Sequence, residues 1–181
     1  TLGSPAFYPV TNYCNGVLYA DVDLDGDLDL LAFAGNASLS ANTISLLINN
    51  GDGTFQPQQT ISTGVFGSSL MPADADNDGD IDLLYTSNTA FNSAPYFRIF
   101  VNDGAGGFSL NTNEANPAAR YILGAFDYNG DGIVDILSGN PGLDVHQDNN
   151  TLPWTLANPT PLDAYRGRTY TRSEERRVGK E

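Results

Sequence analysis

Apolar residues in this chain fall in short runs rich in Ile, Leu, Val, Phe and Tyr, separated by clusters of Gly, Asn, Asp and Pro. Runs of this kind, bounded by turn-forming residues, mark β-strands. No stretch keeps an apolar period of about 3.6 residues long enough to make a helix. The pattern predicts strands at Val17–Ala20, Leu28–Ala34, Thr43–Asn49 and Phe55–Ser62, and again at Ser69–Ala73, Ile81–Ser87, Tyr96–Asn102 and Phe108–Asn111. Between the third and fourth strand of each set stands Asn49-Asn-Gly-Asp-Gly53 or Asn102-Asp-Gly-Ala-Gly106. Both supply residues that tolerate positive φ, as tight turns between antiparallel strands require.

The whole pattern repeats. Asp21-Val-Asp-Leu-Asp-Gly-Asp-Leu-Asp29 returns as Asp74-Ala-Asp-Asn-Asp-Gly-Asp-Ile-Asp82 and as Asp127-Tyr-Asn-Gly-Asp-Gly-Ile-Val-Asp135, 53 residues apart each time. Leu28, Ile81 and Val134 form one apolar column; Leu30, Leu83 and Ile136 form a second; Leu31, Leu84 and Leu137 form a third. Ile48 to Phe55 matches Val101 to Phe108 at the same spacing, whereas the third copy has a shorter loop after residue 138 and matches only loosely over Val145 to Asn150.

Four strands per unit at this period fit the blade of a β-propeller, and a parallel β-helix, with shorter rungs, fits less well. The expected fold is all-β. It is a partial propeller over residues 1–171 with three four-stranded antiparallel blades, the repeats lying at 16–62, 69–115 and 120–158. Arg172 to Glu181 breaks the composition of everything before it, holding four of the chain's eight Lys and Arg residues. It reads as the in-frame translation of a sequencing-library adapter, or else as a disordered charged tail. The natural chain is then expected to run on past residue 171. The start at Thr1, without Met or an apolar leader, points to a preceding segment. An open arc of blades leaves apolar faces uncovered, so the isolated chain is expected to aggregate or fold poorly.

The Asp blocks carry the chemistry. In Asp-x-Asp-x-Asp-Gly-x-x-Asp, side chains at positions 1, 3 and 5 of a curled loop point to one centre, and glycine at position 6 permits the turn. Position 7 offers its backbone carbonyl and position 9 closes the shell. The predicted ligands are Asp21, Asp23, Asp25 and Asp29 with the carbonyl of Asp27; Asp74, Asp76, Asp78 and Asp82 with the carbonyl of Asp80; and Asp127, Asn129, Asp131 and Asp135 with the carbonyl of Ile133. An all-oxygen set suits a hard cation, calcium, with an expected complement of three ions. Softer metals call for His or Cys, and His146 and Cys14 lie outside the loops. The third loop has one carboxylate fewer and is expected to bind more weakly. An EF-hand is excluded, because its position 12 takes Glu and here holds Ala32, Tyr85 or Ser138. Carboxylates crowded into solvated turns would repel one another and gain nothing without a cation.

Net charge is −14 and the isoelectric point near 4.1, which argues against nucleic acid as a partner. The single cysteine allows no internal disulfide. No apolar run is long enough to cross a membrane. No nucleophile motif is visible, His146 reads as a strand residue and Trp154 as packing, so the chain is expected not to be an enzyme.

Taken together, these residues resemble the FG-GAP or VCBS-type repeat of the integrin α-subunit propeller and of many secreted proteins. The resemblance runs from Val17 to Asn150. The Asp loop carries it; Phe66-Gly67 occurs once, and Gly124-Ala125-Phe126 stands where the family has Gly-Ala-Pro. The resemblance implies metal loops joining the first two strands of each blade on one face of the disc, and a ring usually closed by about seven blades. It also implies an extracellular or cell-surface calcium-binding module for adhesion or for recognition of a protein or glycan. The ligand face would be the opposite one, built from 35–42, 87–95 and 62–68, with Phe66, Phe91 and Tyr96 as candidate stacking groups. Alternatives are the accessory propeller of a secreted enzyme or a purely structural spacer. Sequons at Asn36 and Asn149 would be glycosylated only in a eukaryotic secretory route.

Overall fold

The computed structural model describes residues 6–10, 14–34, 42–64, 67–87, 96–115, 121–139, 143–146 and 160–161. Among them are twelve strands and no helix. Strands β1 (Cys14–Ala20), β2 (Asp29–Ala34), β3 (Thr43–Leu47) and β4 (Gln59–Ser62) form the first sheet. The second holds β5 (Gly67–Ala73), β6 (Asp82–Ser87), β7 (Tyr96–Val101) and β8 (Ser109–Ala115). The third holds β9 (Tyr121–Phe126), β10 (Asp135–Gly139), β11 (Leu143–His146) and β12 (Thr160–Pro161). Each is a four-stranded antiparallel meander in chain order, the blade that the spacing of turn residues predicts. His146 ends β11, as a strand residue. Strand β12 lies beyond the 120–158 span read for the third repeat.

Boundaries differ from the predicted ones for local reasons. The fourth strand of the first blade begins late. Phe55 pairs with Asn49 as an isolated bridge, and Gln56 N–H still donates to Ile48 O at 2.7 Å. Pro57 then has no N–H for the ladder, which resumes at Gln59. Strand β1 starts at Cys14 rather than Val17, with an irregularity between Cys14 and Gly16. Strand β8 continues to Ala115, well past Asn111.

Successive blades pack face to face, with β5 beside β1 and β9 beside β5. Alternation along each strand decides which residues meet. One face of the first blade (Ala20, Val22, Leu31, Ile44, Leu46, Ile48) lies on Leu70, Leu83, Tyr85 and Phe100 of the second. The second blade's other face (Ala73, Ala75, Leu84, Phe97, Ile99) lies on Ile122 and Ile136 of the third. Each fully buried side chain of this size contributes about 1.5–3 kcal/mol. Polar ties cross both junctions. Asn102 Nδ2 donates to Val22 O at 2.7 Å, Tyr85 hydroxyl to Thr63 Oγ1 at 3.2 Å, and Ile122 N–H to Ser69 Oγ at 2.9 Å. Arg98 also donates to the Thr63 carbonyl.

The arc is not closed. Val17 is 55 % exposed, whereas Leu70, its counterpart one repeat on, is 4 % exposed beneath the first blade. At the other end Phe126 and Tyr128 form an exposed edge-to-face pair with ring centres 6.3 Å apart. No helix among the described residues is long and apolar enough to cross a membrane.

Candidate metal centre

Each Asp loop joins the first two strands of its blade: residues 21–28 link β1 to β2, 74–81 link β5 to β6, and 127–134 link β9 to β10. The loops curl as the spacing predicts. Asp21 accepts the N–H groups of Asp25 at 3.1 Å and Gly26 at 3.0 Å. Asp74 does the same for Asp78 at 3.1 Å and Gly79 at 3.1 Å. Asp127 takes Gly130 at 2.6 Å, Asp131 at 3.2 Å and Gly132 at 2.9 Å. The position-6 glycines have φ of 93° (Gly26), 100° (Gly79) and 87° (Gly132), and a Cβ on any of them would meet open space. They are needed for backbone conformation rather than for room.

Position 9 does more than the sequence reading assigned to it. Asp29 and Asp82 are fully buried. Asp29 accepts Val22 N–H at 2.9 Å and Asn49 N–H at 2.7 Å. Asp82 accepts Ala75 N–H at 2.9 Å and Asn102 N–H at 2.9 Å. Each carboxylate thereby pins the loop's second residue to the end of the third strand. The two asparagines, read from the sequence as turn formers, complete the brace: Asn49 Nδ2 donates to Leu28 O at 3.0 Å and Asn102 Nδ2 to Ile81 O at 3.1 Å. Their recurrence 53 residues apart was the available signal.

In each of the first two loops the structure brings together three of the four predicted carboxylates, leaving out Asp25 in the first and Asp82 in the second. Oxygens of Asp21, Asp23 and Asp29 come within 4.8 Å of one another, as do those of Asp74, Asp76 and Asp78. At position 3 one carboxylate oxygen lacks a protein partner: Asp23 Oδ1 and Asp76 Oδ1 are buried and accept no hydrogen bond. A buried carboxylate oxygen left unpaired is costly. Loss of solvation raises the Asp23 carboxyl, with Asp29 and Asp25 adding to the effect. It pushes Asp76 up to about 6, helped by the charges of Asp82 and Asp78. Asp80 is likewise pushed up to about 6 by loss of solvation and by its shared hydrogen bond with Asp78. Asp78 is held low, chiefly by the N–H of Asp80. These loops fit a hard cation, because the gathered donors are all oxygen and each loop keeps a buried carboxylate oxygen unpaired.

The third loop is different. Asn129 Nδ2 donates to Asp131 Oδ2 at 2.8 Å, and the loop's carboxylates do not form a comparable group of three. N–H groups of Gly132 and Gly130 hold Asp127 below the usual carboxylate range. Cys14 is exposed at the start of β1, outside the loops.

Residues 21–85 match the family model of the FG-GAP-like repeat. This stretch is an FG-GAP-like repeat. The match opens on Asp21, the first aspartate of the first loop, and ends at Tyr85 in β6, so it takes in the first two Asp loops. The third loop follows in the same register. No curated protein and no solved structure matches the chain.

Of the residues singled out as ligand-facing, Phe66 and Phe91 lie outside the described residues, as do Trp154, the two sequons and 172–181. Tyr96 opens β7. The glycine of the Phe66-Gly67 pair is needed for room, since a Cβ there would run into the Tyr85 ring. Sequence reasoning missed a cleft of about 320 Å³ between β4 of the first blade and Phe100, Phe108 and Leu110 of the second. It arises where residues far apart in sequence meet, and no local motif announces it.

Proposed function

We propose that the chain is a calcium-stabilised, non-catalytic repeat module that works outside the cell and presents a surface for adhesion or for recognition of a protein or glycan. The observation that carries this reading is the unpaired, buried oxygen at position 3 of two loops in register, Asp23 Oδ1 and Asp76 Oδ1. Asp21, Asp23, Asp25 and Asp29 would hold one ion with the carbonyl of Asp27. Asp74, Asp76, Asp78 and Asp82 would hold a second with the carbonyl of Asp80. Asp127, Asn129, Asp131 and Asp135, with the carbonyl of Ile133, would hold a third more weakly. The ion supplies positive charge that relieves carboxylate repulsion and fixes each loop between its strands, so binding energy becomes folding energy.

Extracellular calcium modules have Kd of about 10⁻⁴ to 10⁻³ M, which supports a secreted or surface setting where such sites stay filled. The family match supports a module rather than a catalyst, and the loop aspartates are accounted for as ligands and braces. The test is thermal unfolding in chelator and in calcium. At calcium about 100-fold above Kd, each filled site adds about 2.7 kcal/mol. A rise in Tm with calcium, absent with magnesium at equal ionic strength, is the expected result. Identical melts in chelator and calcium would remove the reading.

A further inference from the structure

Strand β4 is the outer edge of the first blade, and among the described residues it pairs with β3 alone. The phase of that pairing decides where its main-chain groups point. Thr63 N–H donates to Asn42 O at 2.9 Å, one step beyond the pair of Thr43 and Ser62. Hydrogen-bonded and non-hydrogen-bonded pairs alternate along an antiparallel ladder. Ile61 and Gln59 therefore bond β3, whereas the N–H and C=O of Thr60 and Ser62 point away from it. Both of these residues are exposed. Sheet edges are commonly protected by charge, proline or a bulge. The outer strand of the second blade, β8, has an irregularity opposite Phe100 and carries Glu114. Strand β4 reads Gln-Thr-Ile-Ser, without charge or proline, in unbroken register with β3.

The cleft of about 320 Å³ opens beside this edge. All four residues of β4 line it, with Phe100, Phe108 and Leu110 of the second blade as its apolar wall and Gly107 at its end. One repeat earlier the place of Gly107 is taken by Thr54. A Cβ at 107 would run into the Asp103 carboxylate, so the glycine gives that carboxylate room at the cleft. Asp103 Oδ1 accepts Gly107 N–H at 2.9 Å and Ala105 N–H at 3.0 Å, and these bonds hold its carboxyl below the usual range. Arg98 is the one Lys or Arg among the described residues, and it is turned to the Thr63 carbonyl. The cleft thus combines an open strand edge, an apolar wall and a fixed negative charge.

We propose that β4 accepts an extended segment of a partner protein as a fifth, antiparallel strand, with alternate apolar side chains entering the cleft and a Lys or Arg meeting Asp103. The inference deepens the recognition function proposed above, on which it rests, by naming a peptide rather than a glycan. Donors and acceptors repeated at Thr60 and Ser62 match a strand's two-residue period. Main-chain bonds of this kind supply affinity, and pockets for alternate side chains supply selectivity. A chain of net charge −14 favours approach of a basic segment. In such an antiparallel pair the residues opposite Thr60 and Ser62 turn their own N–H groups to β4, while their neighbours turn side chains into the cleft.

The probe is a blocked hexapeptide with lysine at both ends, leucine at its second and fourth positions and threonine at its third and fifth. It is titrated calorimetrically into the full chain in saturating calcium. Binding is expected. Methylating the two threonine nitrogens, which face β4, is expected to weaken it about tenfold, and methylating the two leucine nitrogens to change it by less than about twofold. Thr60→Pro removes an outward N–H without touching the β3 ladder and is expected to weaken binding several-fold. Asp103→Asn keeps the acceptor for Gly107 but removes the charge, and is expected to flatten the salt dependence of binding. The methylated peptides need no protein variant, so they decide the matter even where Thr60→Pro does not fold. No binding of the probe, or equal losses whichever nitrogens are methylated, would overturn the proposal. A sugar bound on a glycan array with no peptide binding would overturn it and keep the recognition function; binding of neither would count against both.

Discussion

The second and third loops share a length, a register and a glycine at position 6, yet they balance their charges in opposite ways. The second packs three successive acidic side chains, Asp76, Asp78 and Asp80, against one another and leaves buried oxygens unpaired. The third replaces the first of these with Asn129, whose amide donates to Asp131, and backbone N–H groups hold Asp127 ionised. One loop leaves buried carboxylate oxygens without partners. The other satisfies much of its own polarity with an amide. The difference shows that loops of one motif can leave carboxylate oxygens unpaired or satisfy them internally according to a single position.

The largest way to break the comparison is to remove the position-9 brace. Asp82→Ala leaves the buried N–H groups of Ala75 and Asn102 without their acceptor, at about 1–3 kcal/mol each. Asp135→Ala costs less, because the N–H of Tyr128 is only partly buried and water can replace the lost acceptor. Chemical denaturation in saturating calcium is expected to show a loss of about 2–6 kcal/mol for Asp82→Ala and a clearly smaller loss for Asp135→Ala. Equal losses would mean that the brace is not what distinguishes the blades.

Charge provides the next test. Asn129→Asp restores a carboxylate at position 3 and removes the amide that bonds Asp131. Calcium affinity of the third loop is expected to rise about tenfold, equivalent to about 1.4 kcal/mol, while the metal-free third blade loses stability. Titration calorimetry and a melt in chelator read the two effects separately. An unchanged affinity would show that the third loop's weakness does not come from its missing carboxylate.

Blades, strand order and the loop's place between first and second strands were legible in the sequence because they follow from local alternation and from a repeat that fixes the Asp-loop columns three times and the later ones twice. The left-handed glycines were legible for the same reason. What was not legible depends on neighbours far along the chain. Asp27 and Asp80 are the same residue in the same motif, yet Asp80 is buried and Asp27 only partly so. The late start of β4 turned on Pro57, a single missing donor within a run that otherwise alternates like a strand.

The pH response has opposite signs in the two loops. Burial in the metal-free second loop raises Asp76 and Asp80 to about 6, against an ordinary carboxyl value of 3.8. The folded state then holds protons that the unfolded chain releases, so the stability these groups contribute is present below 3.8 and lost as pH rises through about 6. Asp127 is lowered, so its contribution is present above 3.8 and lost as pH falls through its depressed folded value. In chelator, unfolding of the second blade is expected to become harder between pH 7 and 5. In calcium the trend reverses, because protons compete with the ion. Hydrogen exchange resolved by blade would separate the loops, and a second blade insensitive to pH in chelator would contradict the crowding argument.

The smallest effect comes from position 4, where all three loops adopt the left-handed conformation with different residues. Gly130 has φ of 83°, Asn77 of 61° and Leu24 of 59°. Glycine takes this conformation freely and asparagine tolerates it, whereas a leucine there is strained by contact between its Cβ and the backbone. Leu24 is also exposed, so replacing it sacrifices little burial. Leu24→Asn is expected to stabilise the first blade by about 0.5–1 kcal/mol, and Asn77→Leu to destabilise the second by a similar amount. Both are read from denaturation midpoints in calcium. If Leu24→Asn were neutral while Asn77→Leu cost stability, the first loop would have to gain something from its exposed leucine, and position 4 would be a place where one motif has two different roles.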